Sequence, residues 1–284
     1  MSAFPRTEVG GLSLSRMIVG TNWFFGFSHC SRAKDKLINE LVANRKAVAD
    51  ILEVFFGSGV NAVMGMSDEL LVGAVKDAED RTGVEGIIVS TPSLPYDRET
   101  AEKGFDLAQV AGVLDREVKL GSAICMPHTS VTDVMLDKCA RKVRQMDVVC
   151  PMIRERGIIP GLSTHVPETI IYADETGLDV ETYIAMYNAM GFLMQVEVDW
   201  VSRIINNAKK PVMTIKPMAA GQIRPFQGLN FVWNTIRDCD MVTVGTMTPD
   251  EARELIDLSL SILERRPSTV KLQETRSKAS IKGS

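Results

Sequence analysis

Short β-branched runs alternate with amphipathic stretches from one end of this chain to the other, and that alternation restricts the fold more than any other feature. A run such as Gly86-Ile-Ile-Val-Ser-Thr91 is apolar nearly throughout, as a strand is when both faces of its sheet are covered. Between such runs lie segments long enough for the helical crossovers that parallel strands require. Eight strands are predicted: Met17 to Thr21, Val60 to Met64, Gly86 to Thr91, Lys119 to Cys125, Ile158 to Ser163, Thr182 to Tyr187, Val212 to Lys216 and Met241 to Gly245. A ninth run, Met146 to Cys150, reads as a strand or as the end of a helix stopped by Pro151, and the helical reading is preferred. Eight βα units suit an α/β fold of the (β/α)8 TIM-barrel type, which typically takes about 250 residues. The 284-residue chain is expected to form one such domain over residues 1–266, followed by a polar tail over 267–284.

Helix starts are legible. Thr248-Pro-Asp-Glu251 places a capping hydroxyl, a proline where no amide is needed and an acid that can reach back, ahead of Leu255, Leu258, Ser259, Ile262 and Leu263 on one face. Ser67-Asp68-Glu69 opens a second helix, and Gly57 and Gly59 punctuate the end of the first long one.

The totals exclude several classes. A composition 45% hydrophobic and 24% charged is that of an ordinary globule, and a net charge of −4 gives no cationic face for nucleic acid. The basic residues Arg265, Arg266, Lys271, Arg276 and Lys278 fall near the C-terminus and read as solvated. No stretch has the charged start and apolar centre of a signal peptide, and none reaches the ~18 apolar residues of a membrane span. A cytoplasmic protein with a small-molecule substrate and no membrane partner is expected, and the outer helices are compatible with a homo-oligomer. Five scattered cysteines, Cys30, Cys125, Cys139, Cys150 and Cys239, form no C-x-x-C pair and read as free thiols.

The opening Phe4-Pro-Arg-Thr-Glu-Val-Gly-Gly-Leu-Ser-Leu-Ser-Arg-Met-Ile-Val-Gly-Thr-Asn-Trp23 resembles the start of an aldo/keto reductase, in which a β-hairpin caps the barrel bottom. Further segments are similar in the same order: Gly59-Val-Asn61 with Asp68-Glu-Leu-Leu-Val-Gly73, Ile88-Val-Ser-Thr91, Arg156 to His165, Met186-Tyr-Asn188, Lys216-Pro-Met-Ala-Ala-Gly221 and Val244-Gly-Thr246. The resemblance implies a barrel capped by an N-terminal hairpin, and hydride transfer from a nicotinamide assisted by an Asp, a Tyr, a Lys and a His. Only the His has a counterpart, His128. Val63 and Met64 occupy the Asp region, no Tyr precedes Asp68, and Pro92 stands at the Lys position. After the eighth strand, Gly245, Thr246, Met247 and Glu251 replace the basic residues that would hold the extra phosphate of NADP, which an acid repels.

Catalytic groups of such barrels stand at the C-terminal strand ends and the loops that follow. All three histidines are placed there: His29 after the first strand, His128 after the fourth and His165 after the fifth. Imidazole is the commonest metal ligand and exchanges protons near neutrality, so the trio reads as a divalent metal site, for zinc or manganese, with Glu197 in support, or as acid/base groups. Asp68 is a further carboxylate, more simply a helix cap. Lys216, at the end of the seventh strand, joins His128 as a catalytic candidate: an amine buried there can act as a base or a nucleophile, or serve an ion pair. Asn22, Trp23, Ser163, Thr164, Asn188 and Arg224 are predicted to bind substrate, Arg224 through an anion. Cys125 and Cys150 read as core.

The expected function is a non-redox enzyme, of lyase, isomerase or hydrolase type, acting on a small polar or carbohydrate-like substrate with metal assistance. The alternatives are a divergent aldo/keto reductase using NAD(P)H, and a pseudoenzyme that binds a small molecule.

Overall fold

The computed structural model describes residues 3–97, 100 and 103–271. Eight parallel barrel strands follow one another around a ring: β3 (Met17–Gly20), β4 (Ala62–Gly65), β5 (Ile87–Ser90), β6 (Ser122–Cys125), a broken fifth strand made of β9 (Ile159–Pro160) and β10 (Leu162–Ser163), β11 (Tyr183–Met186), β12 (Val212–Ile215) and β13 (Met241–Val244). β9 pairs with β6, β10 pairs with β11, and β13 pairs with β3, so the ring closes through the two halves of the fifth strand. The break falls at Gly161, where a Cβ would stand 2.8 Å from the Met126 methyl and from the Thr182 carbonyl oxygen. Only a residue without a side chain lets the neighbouring backbone come that close.

Alternation along the strands fills the interior. Ile18, Ala62, Met64, Val89, Ile124, Met126, Ile184, Met213 and Met241 form one buried cluster inside the ring, separate from the larger cluster between ring and helices. The antiparallel hairpin β1 (Arg6–Val9) and β2 (Leu12–Ser15) caps the barrel, with Val9 and Leu14 in the interior cluster. Its turn is Gly10-Gly11, both at positive φ, the geometry that two-residue hairpin turns require. Asn61 ties the cap to the wall: its side-chain oxygen accepts from the Ser15 amide at 2.9 Å, and its own amide donates to the Ser15 hydroxyl at 3.0 Å.

Local signals decide the helices. Thr248 caps the Pro249–Leu263 helix by accepting from the Glu251 amide at 3.1 Å, while Glu251 reaches back to the Met247 amide at 2.7 Å. Asp68 accepts from the Leu71 amide and so starts the Glu69–Thr82 helix. The first long helix, Arg45–Gly57, ends at Gly57 as expected, and a separate helix, Arg32–Val42, precedes it because Ser31 and Asn44 each cap a fresh first turn. Met146–Arg154 is helical, as preferred, but Pro151 lies within it and does not stop it. Burial of Met146, Val149, Cys150 and Ile153 on one face outweighs the single lost amide. A small hairpin, β7 (Leu136–Asp137) with β8 (Lys142–Val143), precedes it and has no counterpart among the predicted elements.

Past the last helix the chain stays attached: Asp257 accepts from the Arg266 guanidinium, the Ser268 hydroxyl and the Thr269 amide. Arg266 is thus ion-paired rather than simply solvated. Residues 272–284 of the polar tail, with Arg276 and Lys278, lie outside the described residues. Among the described residues no helix is long and apolar enough to cross a membrane.

Candidate functional site

A cavity of about 510 Å³ opens at the C-terminal end of the strands. Its floor is the last inward layer of the barrel, including Met64, Ile184, Ile215 and Thr243. Of the residues singled out from sequence, Asn22, Trp23, His29 and His128 line it on one part of the rim. Ser163, His165, Lys216 and Arg224 line it on the next. Three others do not. Thr164 is buried beneath the rim, donating to Asp133 at 2.5 Å and to the Val166 carbonyl. Asn188 staples its own loop, accepting from the Met190 and Phe192 amides. Glu197 is exposed at the start of the Val198–Asn207 helix.

Each histidine is positioned by a different device. His128 caps the short Thr129–Thr132 helix, its Nδ1 accepting from the Ser130 amide at 3.2 Å and lying 2.8 Å from the Ser130 hydroxyl. That puts the proton of the neutral ring on Nε2. Asp133 holds His165 through its backbone amide, at 3.2 and 3.1 Å. His29 stands in left-handed backbone after Ser28, which donates amide and hydroxyl to Asp35.

Burial lowers the pKa of all three imidazoles. Lys216 lowers His29 and His165 further, and Asp35 and Asp133 oppose the shift. The rings are therefore mainly neutral at pH 7.

Lys216 stands close enough for its charge to act on His29 and His165. Strand alternation would turn it outward beside Thr214, toward the helices. Its left-handed backbone, φ 59°, breaks that alternation, and its side chain lines the mouth instead. Ala219 and Ala220 in the same turn share that conformation, so the backbone after the seventh strand is strained where it meets the cavity. Among the described residues no carboxylate pairs with Lys216, which removes the ion-pair reading. Burial without an anion pulls its pKa down to about 8.

The expected metal site is overturned. Among the described residues no three histidine, cysteine or acidic side chains are arranged to hold a metal ion. His128 has one ring nitrogen committed to its own helix, Glu197 points from another loop, and the Lys216 charge acts on His29 and His165 where a dication would have to sit. Asp68 is a helix cap and not a ligand. Cys125 and Cys150 are buried thiols whose pKa burial raises, Cys125 to about 12, so neither is an activated nucleophile. Among the described residues no tyrosine lines the cavity. Tyr183 donates to Asp174, and Tyr187 donates to Thr235, both away from the mouth.

Sequence reasoning missed three residues. Asp133 carried no signal, since nothing before the fold placed it under His165. Glu254 lines the cavity beside Glu251, one turn along a helix whose start was legible. Thr243 is 7% exposed, and its hydroxyl is buried without a hydrogen-bond partner. A polar residue on the inward phase of Met241-Val-Thr-Val-Gly245 was the available signal.

The cavity has two unlike ends. Glu251 and Glu254 lie at the end formed by the eighth strand and the last helix, where the Trp23 indole packs 3.8 Å from the position a Gly245 Cβ would take. The histidines, Lys216 and Arg224 make up the other.

No family model and no curated protein matches this chain in sequence. Solved structures do. A Pseudomonas aeruginosa protein described as an aldo-keto reductase shares 17% identity at a TM-score of 0.64, covering 91% of this chain and 95% of that one. An aldo-keto reductase from Klebsiella pneumoniae, solved in complex with NADPH, shares 15% identity at 0.53, covering 96% of this chain and 100% of that one. A Thermotoga maritima phospho-2-dehydro-3-deoxyheptonate aldolase shares 12% identity at 0.51, covering 93% of this chain and 74% of that one. With the ligand set gone and reductases among the structures it matches, the expectation of a metal-assisted, non-redox enzyme is set aside. The chain shares with these reductase structures the (β/α)8 barrel fold.

Proposed function

We propose that this protein is a carbonyl reductase that takes its hydride from a nicotinamide cofactor, with Lys216 as proton donor. The observation that carries the reading is the Lys216 ammonium, held at the barrel mouth without an anionic partner and with a pKa of about 8. Such a group is mostly protonated at pH 7 yet gives up its proton readily, which is what a positioned general acid needs. It supplies the role for which no tyrosine is at hand. The neutral rings of His128 and His165 donate hydrogen bonds that orient the carbonyl, and the apolar floor of Met64, Ile184 and Ile215 keeps water from the reacting carbon.

The donor set at the acidic end suits a dinucleotide without a 2′-phosphate. Trp23 beside Gly245 offers a flat face for a ring, and Glu254 offers a carboxylate for ribose hydroxyls. Lys34, whose ammonium stands 5.3 Å from the Trp23 ring centroid, supplies a cation for the pyrophosphate. Glu251, already committed to the Met247 amide, and Glu254 repel an added phosphate. When bound, the cofactor supplies the hydride that reduces the carbonyl carbon. Titration of tryptophan fluorescence with NADH and NADPH tests the reading: tighter binding of NADH is expected, and no response to either at millimolar concentration would overturn it.

A further inference from the structure

We infer that the substrate of this site is an anionic carbonyl compound, a 2-oxo acid with an apolar side chain, whose carboxylate is held by Arg224 and Thr243 beside the Lys216 ammonium. The inference rests on the reductase reading for the carbonyl and on the cavity alone for the charge. Lys216 and Arg224 both belong to the turn that follows the seventh strand, both line the cavity, and among the described residues neither has an ion-pair partner. Two cations facing one cavity without ion-pair partners of their own repel each other, and a bound anion relieves that. The two lining carboxylates do not supply it, since both lie on the last helix and Glu251 is engaged by the Met247 amide.

Thr243 is the independent observation. It is 7% exposed, it lines the cavity floor, and its hydroxyl has no hydrogen-bond partner. A buried hydroxyl left unpaired in a finished fold costs free energy that a ligand oxygen would recover. The parallel register Met213↔Met241 and Thr214↔Val242, carried one residue further, sets Thr243 level with Ile215 and one step below Lys216. Thr243 and Lys216 therefore stand on neighbouring strands, one at the floor of the cavity and one at its rim. A carboxylate and an adjacent carbonyl carry their oxygens on two bonded carbons, a spacing that suits donors presented from adjacent strands and from the turn that holds Arg224. The walls on the same side, Ile215, Met218 and Ile223, are apolar and accommodate a hydrocarbon side chain. Reduction then places a hydride on the ketone carbon and the Lys216 proton on its oxygen, giving a 2-hydroxy acid, and solvent reprotonates the amine.

The test uses phenylpyruvate and its methyl ester as probes, with binding followed by calorimetry in the absence of cofactor. The acid is expected to bind at least tenfold more tightly than the ester. Arg224→Ala, at an exposed residue, is expected to erase that preference. Thr243→Val, which keeps the shape and removes the hydroxyl, is expected to weaken the acid about tenfold, and Thr243→Ser to restore it. Equal binding of acid and ester by the unaltered protein, or a preference that survives Arg224→Ala, would overturn the assignment. A protein that prefers the acid but ignores NADH would instead fail the reductase reading alone.

Discussion

Asp133 and His165 are joined through the backbone: the Asp133 carboxylate accepts the His165 amide at 3.2 and 3.1 Å while also taking hydroxyls from Thr129 and Thr164. The ring of His165 is left to face the cavity. Asp133 raises the His165 pKa against the dominant effect of burial. Asp133→Asn removes that charge and keeps the shape, so the imidazole is expected to titrate at still lower pH. Following the His165 ring by NMR from pH 4 to 8 checks this, and an unchanged or raised midpoint would contradict it.

Lys216→Met separates function from stability. Loss of the proton donor is expected to reduce turnover by roughly 10²–10⁴-fold. The same change should stabilise the fold at pH 7, because the buried ammonium, with a pKa of about 8 against its ordinary 10.5, opposes folding. The sign follows from protons bound: between those values the unfolded chain holds a proton that the folded one does not, so stability of the unaltered protein rises with pH from about 8 to 10.5. Below 8 the penalty levels off, on the order of 2–3 kcal/mol once the partial exposure of the amine is allowed for. Urea midpoints at pH 7 and 10 for both proteins read this; a Lys216→Met variant less stable at pH 7 would show the amine to be structural.

Much of this was legible in the sequence, for reasons particular elements show. The barrel followed from strand runs and crossovers, and the Thr248 and Asp68 caps from side chains that can bond only their own first turn. These are local rules, and burial and alternation enforce them. The site was legible only as a list of rim residues. Whether His29, His128 and His165 share one ion depends on where each ring points, and that is set by Ser130, Asp133 and Asp35, which no spacing reveals. Lys216 was found from its strand end, but its inward turn comes from a left-handed residue that alternation predicts the other way. Pro151 misled for the opposite reason: a local rule for stopping helices lost to burial of the face around it.

At the far end of the barrel, Asp240 is fully buried and accepts from the Val212 amide at 2.8 Å and from the Arg237 amide and guanidinium. Asp240→Ala leaves the Arg237 charge and the Val212 amide without that partner. A loss of about 3–5 kcal/mol is expected in urea unfolding, with ligand affinities unchanged in protein that remains folded.

Gly161→Ala tests the closure of the ring. The added methyl meets the Met126 side chain and the Thr182 carbonyl oxygen at 2.8 Å, so strain of roughly 1–3 kcal/mol is expected. Its thermal midpoint should fall, and hydrogen exchange should rise at the Leu162 amide, which donates to Thr182. An unshifted midpoint would show that the gap between the half-strands widens freely.

The proposed reaction delivers a nicotinamide hydride to a carbonyl carbon at the mouth lined by Lys216 and the three histidines. A single turnover of phenylpyruvate with NADH deuterated at C4 measures it most directly. A 2-hydroxy acid one mass unit heavier is expected from one face of the deuterated cofactor, and almost none with Lys216→Met. Product without deuterium from either face, or no product at saturating cofactor and substrate, would contradict it.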